Sequence, residues 1–187
     1  MNYYISDLHF DHKNVIRFDV RPFADVDEMD AELIRQWNDK VTDSDHVYVV
    51  GDLCFQNGRQ EQWYVKQLKG HKHLILGNHD IKIQNNDEAM SHFESVEQIK
   101  IIKDGEKDIV LCHFPLASWP MENHGFWHIY GHVHGNRESG GRADAIKYMR
   151  YKEHALNAGC MLNGFAPASF EELIINIQSF WEGVSDD

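Results

Sequence analysis

Cysteine, basic residues and long apolar runs are all in short supply in this chain. Three cysteines, Cys54, Cys112 and Cys160, stand far apart in 187 residues. An odd, widely spaced set builds neither a disulfide framework nor a zinc-finger spacing, so a reducing cytoplasm is the expected compartment. No apolar run approaches the roughly 18 residues of a membrane span. The opening "MNYYISDLHF" lacks a basic n-region and a long apolar h-region, so no signal peptide is expected. Lys and Arg number 18 against 30 Asp and Glu, a formal net charge of -12. That balance weighs against strong binding to the phosphate backbone of a nucleic-acid duplex. It also means that an anionic substrate needs a locally positive site. Repeats, linkers and low-complexity tracts are missing too, so residues 1–187 are read as a single domain.

What the chain does have is histidine, 13 in all, a frequent metal ligand and acid/base group. Where they fall depends on the secondary structure. "NYYIS", "HVYVV" and "LIL" read as strands. "DVDEMDAELIRQWNDKV" reads as a helix because Met29, Leu33, Trp37 and Val41 form one apolar stripe. "QEQWYVKQLKG" reads as a helix ending at Gly70, and "DEAMSHF" as a short one. "VEQIKIIKDGEKDIVLCH" reads as a hairpin turning at Asp104 and Gly105. "FWHIYGHVHG" is a strand and turn, and "LNAGCML" a late strand. "SFEELIINIQSFW" is a helix with a capping box from Ser169 to Glu172.

One kind of punctuation recurs at the strand ends. The first strand stops at Asp7-Leu8-His9 and "VYVV" stops at Gly51-Asp52. "LIL" stops at Gly77-Asn78-His79-Asp80, "IVL" at Cys112-His113 and "HIY" at Gly131-His132-Val133-His134. In α/β sheets, sites collect beyond the carboxyl ends of strands. Asp7 and His9, like His132 and His134, are two apart, and in extended chain such residues point to one side. Aspartate oxygen, imidazole nitrogen and a carboxamide oxygen suit borderline divalent metals. Two carboxylates, four neutral imidazoles and Asn78 are enough for two ions if one aspartate bridges. Two such ions and two aspartates leave about +2, enough to attract an anion into an acidic protein.

These motifs, D-x-H, G-D, G-N-H-D, H and G-H-x-H, appear in order between residues 7 and 134. They resemble those of the calcineurin-like metallophosphoesterase superfamily, and "HFDHKNVIRFDVRPF" further resembles its small stand-alone bacterial and phage members. The resemblance implies a four-layer α/β/β/α sandwich with two mixed β-sheets. It implies one ion on Asp7, His9, Asp52 and His134, and another on Asp52, Asn78, His113 and His132, with Asp52 shared. Manganese is the first choice of metal, with iron, zinc, nickel or cobalt also suited. The implied reaction is hydrolysis of a phosphomonoester or phosphodiester by hydroxide held between the ions, with His79 as general acid. The expected partner is a small phosphoester or nucleotide. His12, Arg17 and Arg21 are candidate substrate contacts, a guanidinium matching phosphate geometry. Asp80 is either a helix cap or an orienting carboxylate for His79. Trp119, Phe126 and Trp127 either pack or stack on a nucleobase. The rival readings are a metal- or phosphate-binding scaffold without turnover, and a protein phosphatase.

Overall fold

The structure, a computed structural model, describes residues 1–55, 58–135 and 141–182, with only the backbone at 141 and 142. Strands β1 (Asn2–Ile5), β2 (His46–Val49), β3 (His71–Ile75) and β4 (Phe93–Glu97) pair in sequence order, each parallel to the next. A second sheet joins β5 (Ile99–Asp104), β6 (Lys107–Cys112), β7 (Trp127–Tyr130) and β8 (Ala155–Asn157). There β5 and β6 are antiparallel and the other pairs parallel. The expected sandwich is present; its second sheet is mixed, while its first is parallel throughout.

The layers follow from alternation along the strands. On one face of the first sheet, Tyr3, Ile5, Val47, Val49 and Leu74 bury against the helices α2 (Val26–Lys40) and α3 (Glu61–Val65). The stripe Met29, Leu33 and Trp37 supplies the facing side of α2, as its four-residue spacing predicts. Tyr4, Tyr48 and Ile75 point the other way and meet Ile109, Leu111, Ile129 and Leu156 of the second sheet. Val110, Tyr130 and Ala155 form the outer face of that sheet, against Ile146 and Met149 of α5 (Gly141–Arg150). Helix α6 (Phe170–Trp181) begins in the inter-sheet core at Phe170 and Leu173 and ends against the outer cluster at Phe180 and Trp181. Each fully buried aliphatic or aromatic side chain contributes about 1.5–3 kcal/mol by leaving water.

Local signals set the helix ends. The Asp25 carboxylate accepts from the Glu28 amide at the start of α2, and the Ser169–Glu172 capping box forms at the start of α6. Several elements differ from the expectation: the late strand ends at Asn157, with a 3-10 turn at Cys160–Leu162, and α3 ends at Val65 rather than near Gly70. Val96 and Glu97 do not belong to the hairpin; they end β4, a half-exposed edge strand of the first sheet, and the chain crosses to the second sheet at Gln98. Helix α1 (Lys13–Phe18) is too short to display a period, burying only Val15, and α5 shows only a narrow stripe. A third short helix, α4 (Asp87–Met90), lies where it is expected. Among the described residues, no helix is long and apolar enough to cross a membrane.

Candidate metal centre

The carboxyl ends of β1, β2 and β3 and of β6 and β7 open onto one place. Around it Asp7, His9 and His134 offer ligand atoms within 4.8 Å of one another, and so do Asp52, His113 and His132. Asp52 lies between the two groups. Its Oδ2 is 3.7 Å from His9 Nε2 and 3.4 Å from His113 Nε2. His9 Nε2 and His134 Nε2 face each other at 3.2 Å, and Asn78 Oδ1 is 3.3 Å from His113 Nε2. The seven donors read from the sequence therefore assemble in one site, in two groups joined by Asp52.

Backbone conformation makes this convergence possible. Asp7, His9, Asp52, His132 and His134 all have left-handed φ, between 52° and 71°. Such angles are uncommon outside glycine and gather where tertiary structure enforces them. The two-apart pairs are thus not in extended chain. Asp7 and His9 turn into the same group, whereas His132 and His134 diverge, one to each group. Two glycines allow the loops to touch. A Cβ on Gly77 would collide with the Asp52 side chain and amide, and one on Gly131 with Ser6 Oγ and the Asp7 carboxylate.

A shell of hydrogen bonds fixes the donors. His113 Nδ1 is 2.8 Å from the Val50 carbonyl oxygen, and His134 Nδ1 is 2.7 Å from Asp19 Oδ1, so each ring turns Nε2 inward. Asp7 accepts from Ser6 Oγ at 2.7 Å and from the His132 amide at 3.1 Å. Asn157 Nδ2 donates to the His134 carbonyl at 3.1 Å. Asp80 is 2% exposed, and its carboxylate accepts the amides of Asp52, Leu53 and Gly77 at 2.8, 3.0 and 2.8 Å. It serves neither as a helix cap nor as a partner of the His79 ring; it ties the Gly-Asp loop to the Gly-Asn-His-Asp loop.

The electrostatics call for a cation. Among the described residues, the ion-pair partners of the Asp7 and Asp52 carboxylates are histidines, with no lysine or arginine. Burial pushes the Asp52 carboxyl up, but the His113 bond, with His9 and the His79 amide, outweighs it and holds the group well below its usual range. Burial works against a charged His113, yet Asp52 and Asp7 raise it to about 9. Burial likewise opposes a charged His134, and the Asp19 bond and Asp7 raise it. His9 follows burial and sits well below the usual imidazole value; its Nδ1 is buried with no hydrogen-bond partner. Two buried carboxylates whose ion-pair partners, among the described residues, are ligand-type imidazoles are a donor set suited to divalent metal.

His79 is partly exposed at the mouth. Its amide donates to Asp52 Oδ1 at 2.9 Å and its Nε2 is 3.9 Å from Asp52 Oδ2. His12 stacks on Phe55 with ring centroids 3.7 Å apart and lies 5.4 Å from the His9 ring. Burial, then His79 and Arg21, lower His12 to about 4. Arg17 is exposed with its guanidinium 5.3 Å over the Phe18 ring. Arg21 departs from expectation. It is 5% exposed, and its guanidinium donates to Asp19 Oδ2, the Asp7 carbonyl and the Leu8 carbonyl at 2.9, 2.8 and 2.9 Å. Its donors bind the loop that carries Asp7 rather than face a substrate. Trp119 is core, its Nε1 donating to the Phe126 carbonyl, and Trp127 packs edge-on against Phe170. The aromatics beside the site are instead Phe55, 5.2 Å from the His79 ring, and Phe114, 4.8 Å from the His132 ring. Asp19, Phe55 and Phe114 escaped the sequence reading; only the adjacency of Phe55 and Phe114 to ligand motifs signalled them.

No family model matches the chain. The chain belongs to one family with the uncharacterized protein MJ1445 of Methanocaldococcus jannaschii, and its ordered motifs converge on a two-sheet sandwich of the kind that their resemblance to the calcineurin-like metallophosphoesterases implies. MJ1445 is 30% identical over 174 residues, 92% of this chain and 88% of its own. The gene 66 protein of Mycobacterium phage L5 is 28% identical over 160 residues, 71% of this chain and 76% of its own. Among solved structures, the protein of unknown function AQ665 from Aquifex aeolicus superimposes with a TM-score of 0.71 and 26% identity, over 94% of this chain and 98% of that one.

Proposed function

We propose that this chain is a metal-dependent phosphoesterase acting on a small phosphomonoester or phosphodiester, nucleotides included. The observation that carries the reading is the convergence of seven donors around a shared Asp52. Asp7, His9, Asp52 and His134 would hold one divalent ion, and Asp52, Asn78, His113 and His132 the other. Two such ions, when bound, supply activation of water and neutralisation of charge on the phosphoryl group. The chain's own residues do the rest. The Val50 carbonyl and Asp19 keep His113 Nε2 and His134 Nε2 turned to the site. His79, its backbone pinned by Asp52 and its ring partly open to solvent, would deliver a proton from its imidazole to the departing oxygen. His12, aligned by Phe55, and Arg17 at the end of α1 are the candidate contacts for the remainder of the substrate. The donor set suits a borderline divalent ion, and the family resemblance favours manganese over iron, zinc, nickel or cobalt. Three free, buried cysteines support a cytoplasmic setting.

The test compares metal-loaded wild type with Asp52→Asn and His79→Ala on p-nitrophenyl phosphate and bis-p-nitrophenyl phosphate. Asp52→Asn is expected to abolish turnover; unchanged turnover overturns the shared-aspartate centre. His79→Ala is expected to slow alkoxide-leaving substrates by about 10²–10⁴-fold. It should slow p-nitrophenolate substrates far less, because that group departs without a proton. Stoichiometric metal with no hydrolysis across a panel of phosphoesters would instead favour a binding scaffold.

A further inference from the structure

We propose a second metal site at the opposite end of the first sheet, where His46, His73 and Glu94 would hold a single borderline divalent ion such as zinc, nickel or copper. His46 opens β2, His73 lies in the middle of β3 and Glu94 near the start of β4, away from the carboxyl ends of β2 and β3 that carry the centre described above. His46 Nδ1 and His73 Nε2 face each other at 3.0 Å, and Glu94 Oε2 is 3.8 Å from His73 Nε2. The three donor atoms lie within 4.8 Å of one another. Two imidazole nitrogens bound to one zinc at tetrahedral angles sit about 3.3 Å apart. His9 and His134 approach each other in the same way, at 3.2 Å.

The surroundings hold this arrangement. In the ladder between β3 and β4, Lys72 pairs with Phe93 and His73 with Ser95, so Glu94 is an extra residue. A bulge of this kind re-aims a side chain. His71 Nδ1 takes one Glu94 oxygen, Oε1, and leaves Oε2 for the site. His73 Nδ1 is 3.0 Å from Ser95 Oγ, which Lys100 Nζ also reaches at 3.1 Å. A proton on Nδ1 leaves Nε2 as a lone pair turned to His46 and Glu94. Burial lowers His73 below the usual imidazole value, with the Glu94 carboxylate opposing. Stacking on Tyr48 at 4.7 Å and of His46 on His71 at 4.8 Å fixes the ring planes. Glu94 and His71 are exposed, so an ion can enter from solvent and complete its shell with water.

The competing account is a plain histidine–histidine hydrogen bond with no affinity for metal. Zinc titration of the full chain against a chromophoric chelator separates the two. Wild type should bind one equivalent more than His46→Ala. In the background His9→Ala with Asp52→Asn and His113→Ala, which removes donors from both groups at the carboxyl ends, one equivalent should remain, weakened tenfold or more by adding His46→Ala or Glu94→Gln. Equal stoichiometry in wild type and His46→Ala, or no zinc retained in that background, overturns the site. Should the background variant not fold, ring nitrogen NMR of wild type decides. Zinc should move His73 Nε2 to the metal-bound range in wild type but not in His46→Ala, and an unmoved Nε2 in wild type overturns the proposal.

Discussion

The two ends of the first sheet gather histidines by different means. At the carboxyl ends the donors sit on loops, five of them with left-handed φ, around carboxylates that are buried to 0% and 2% exposure. At the amino ends the donors sit on neighbouring strands with no positive φ, and the carboxylate is exposed. Register alone brings His46, His71 and His73 together there. The loop site needs glycines, caps and a buried Asp80 to exist at all, and it gains buried, undercompensated charge. The strand site costs the fold little and stays wet. The expensive end is where chemistry is to be sought, because strain and buried charge persist only where the surrounding structure enforces them.

Breaking that enforcement should have the largest effect. Gly131→Ala puts a methyl group into Ser6 Oγ and the Asp7 carboxylate. We expect hydrolysis of bis-p-nitrophenyl phosphate to fall about 10³-fold or more, since misplacement by about 1 Å already costs about 10²-fold. Zinc uptake at the amino-terminal ends should be unaffected in the same variant. Asp80→Asn comes next. A carboxamide replaces a carboxylate that accepts three backbone amides and leaves part of that set unpaired. The expected loss is about 3 kcal/mol of unfolding free energy in urea, with weakened metal binding at the carboxyl ends.

How much of this was legible beforehand divides along the same line. That Asp7, His9, Asp52, Asn78, His79, His113, His132 and His134 come together is legible because each follows an apolar strand and their order is distinctive. Seven strands are legible, and the helical stripe of α2 with them, because alternation and period are written locally. The extended geometry assumed for Asp7–His9 and His132–His134 was not what brings them in, since left-handed φ at a non-glycine residue has no local signature. The role of Arg21 was misread for a related reason. A guanidinium that follows the first motif looks like a phosphate ligand until its distant partners, the Asp7 and Leu8 carbonyls, are known. Strand β4 was missed because an edge strand buries little and so alternates weakly.

Asp19 sharpens the comparison at a smaller scale. It accepts from His134 Nδ1 and is itself held by Arg21, so it orients one ligand of one group. Burial opposes its charge, but the His134 bond and Arg21 lower its pKa below the usual carboxylate value. Asp19→Asn should weaken metal at the His9–His134 half about 10–100-fold, or about 1.4–2.7 kcal/mol, in a manganese titration followed by activity. The Asp52–His113 half should keep its affinity. Equal losses in both halves would show that the two groups act as one rigid unit.

His128 is a buried histidine that belongs to neither cluster. It is fully buried in β7, Nδ1 lying 3.1 Å from the Val110 carbonyl oxygen and Nε2 accepting the Leu116 amide at 3.2 Å. Burial lowers it to about 4, with the carbonyls of Val110 and Phe114 opposing. The sign follows from linkage. The unfolded chain protonates this ring near pH 6.5 and the folded chain only near 4. Between those values the unfolded state holds the extra proton, so His128 contributes stability that is full above about pH 6.5 and declines as pH falls toward 4. Its share of the slope is at most about 1.4 kcal/mol per pH unit. Urea unfolding of His128→Asn should show a correspondingly shallower dependence over that window, in chelator, so that neither histidine cluster carries metal. An unchanged slope would mean that His128 is protonated in the fold and that its two backbone contacts are not those of a neutral ring.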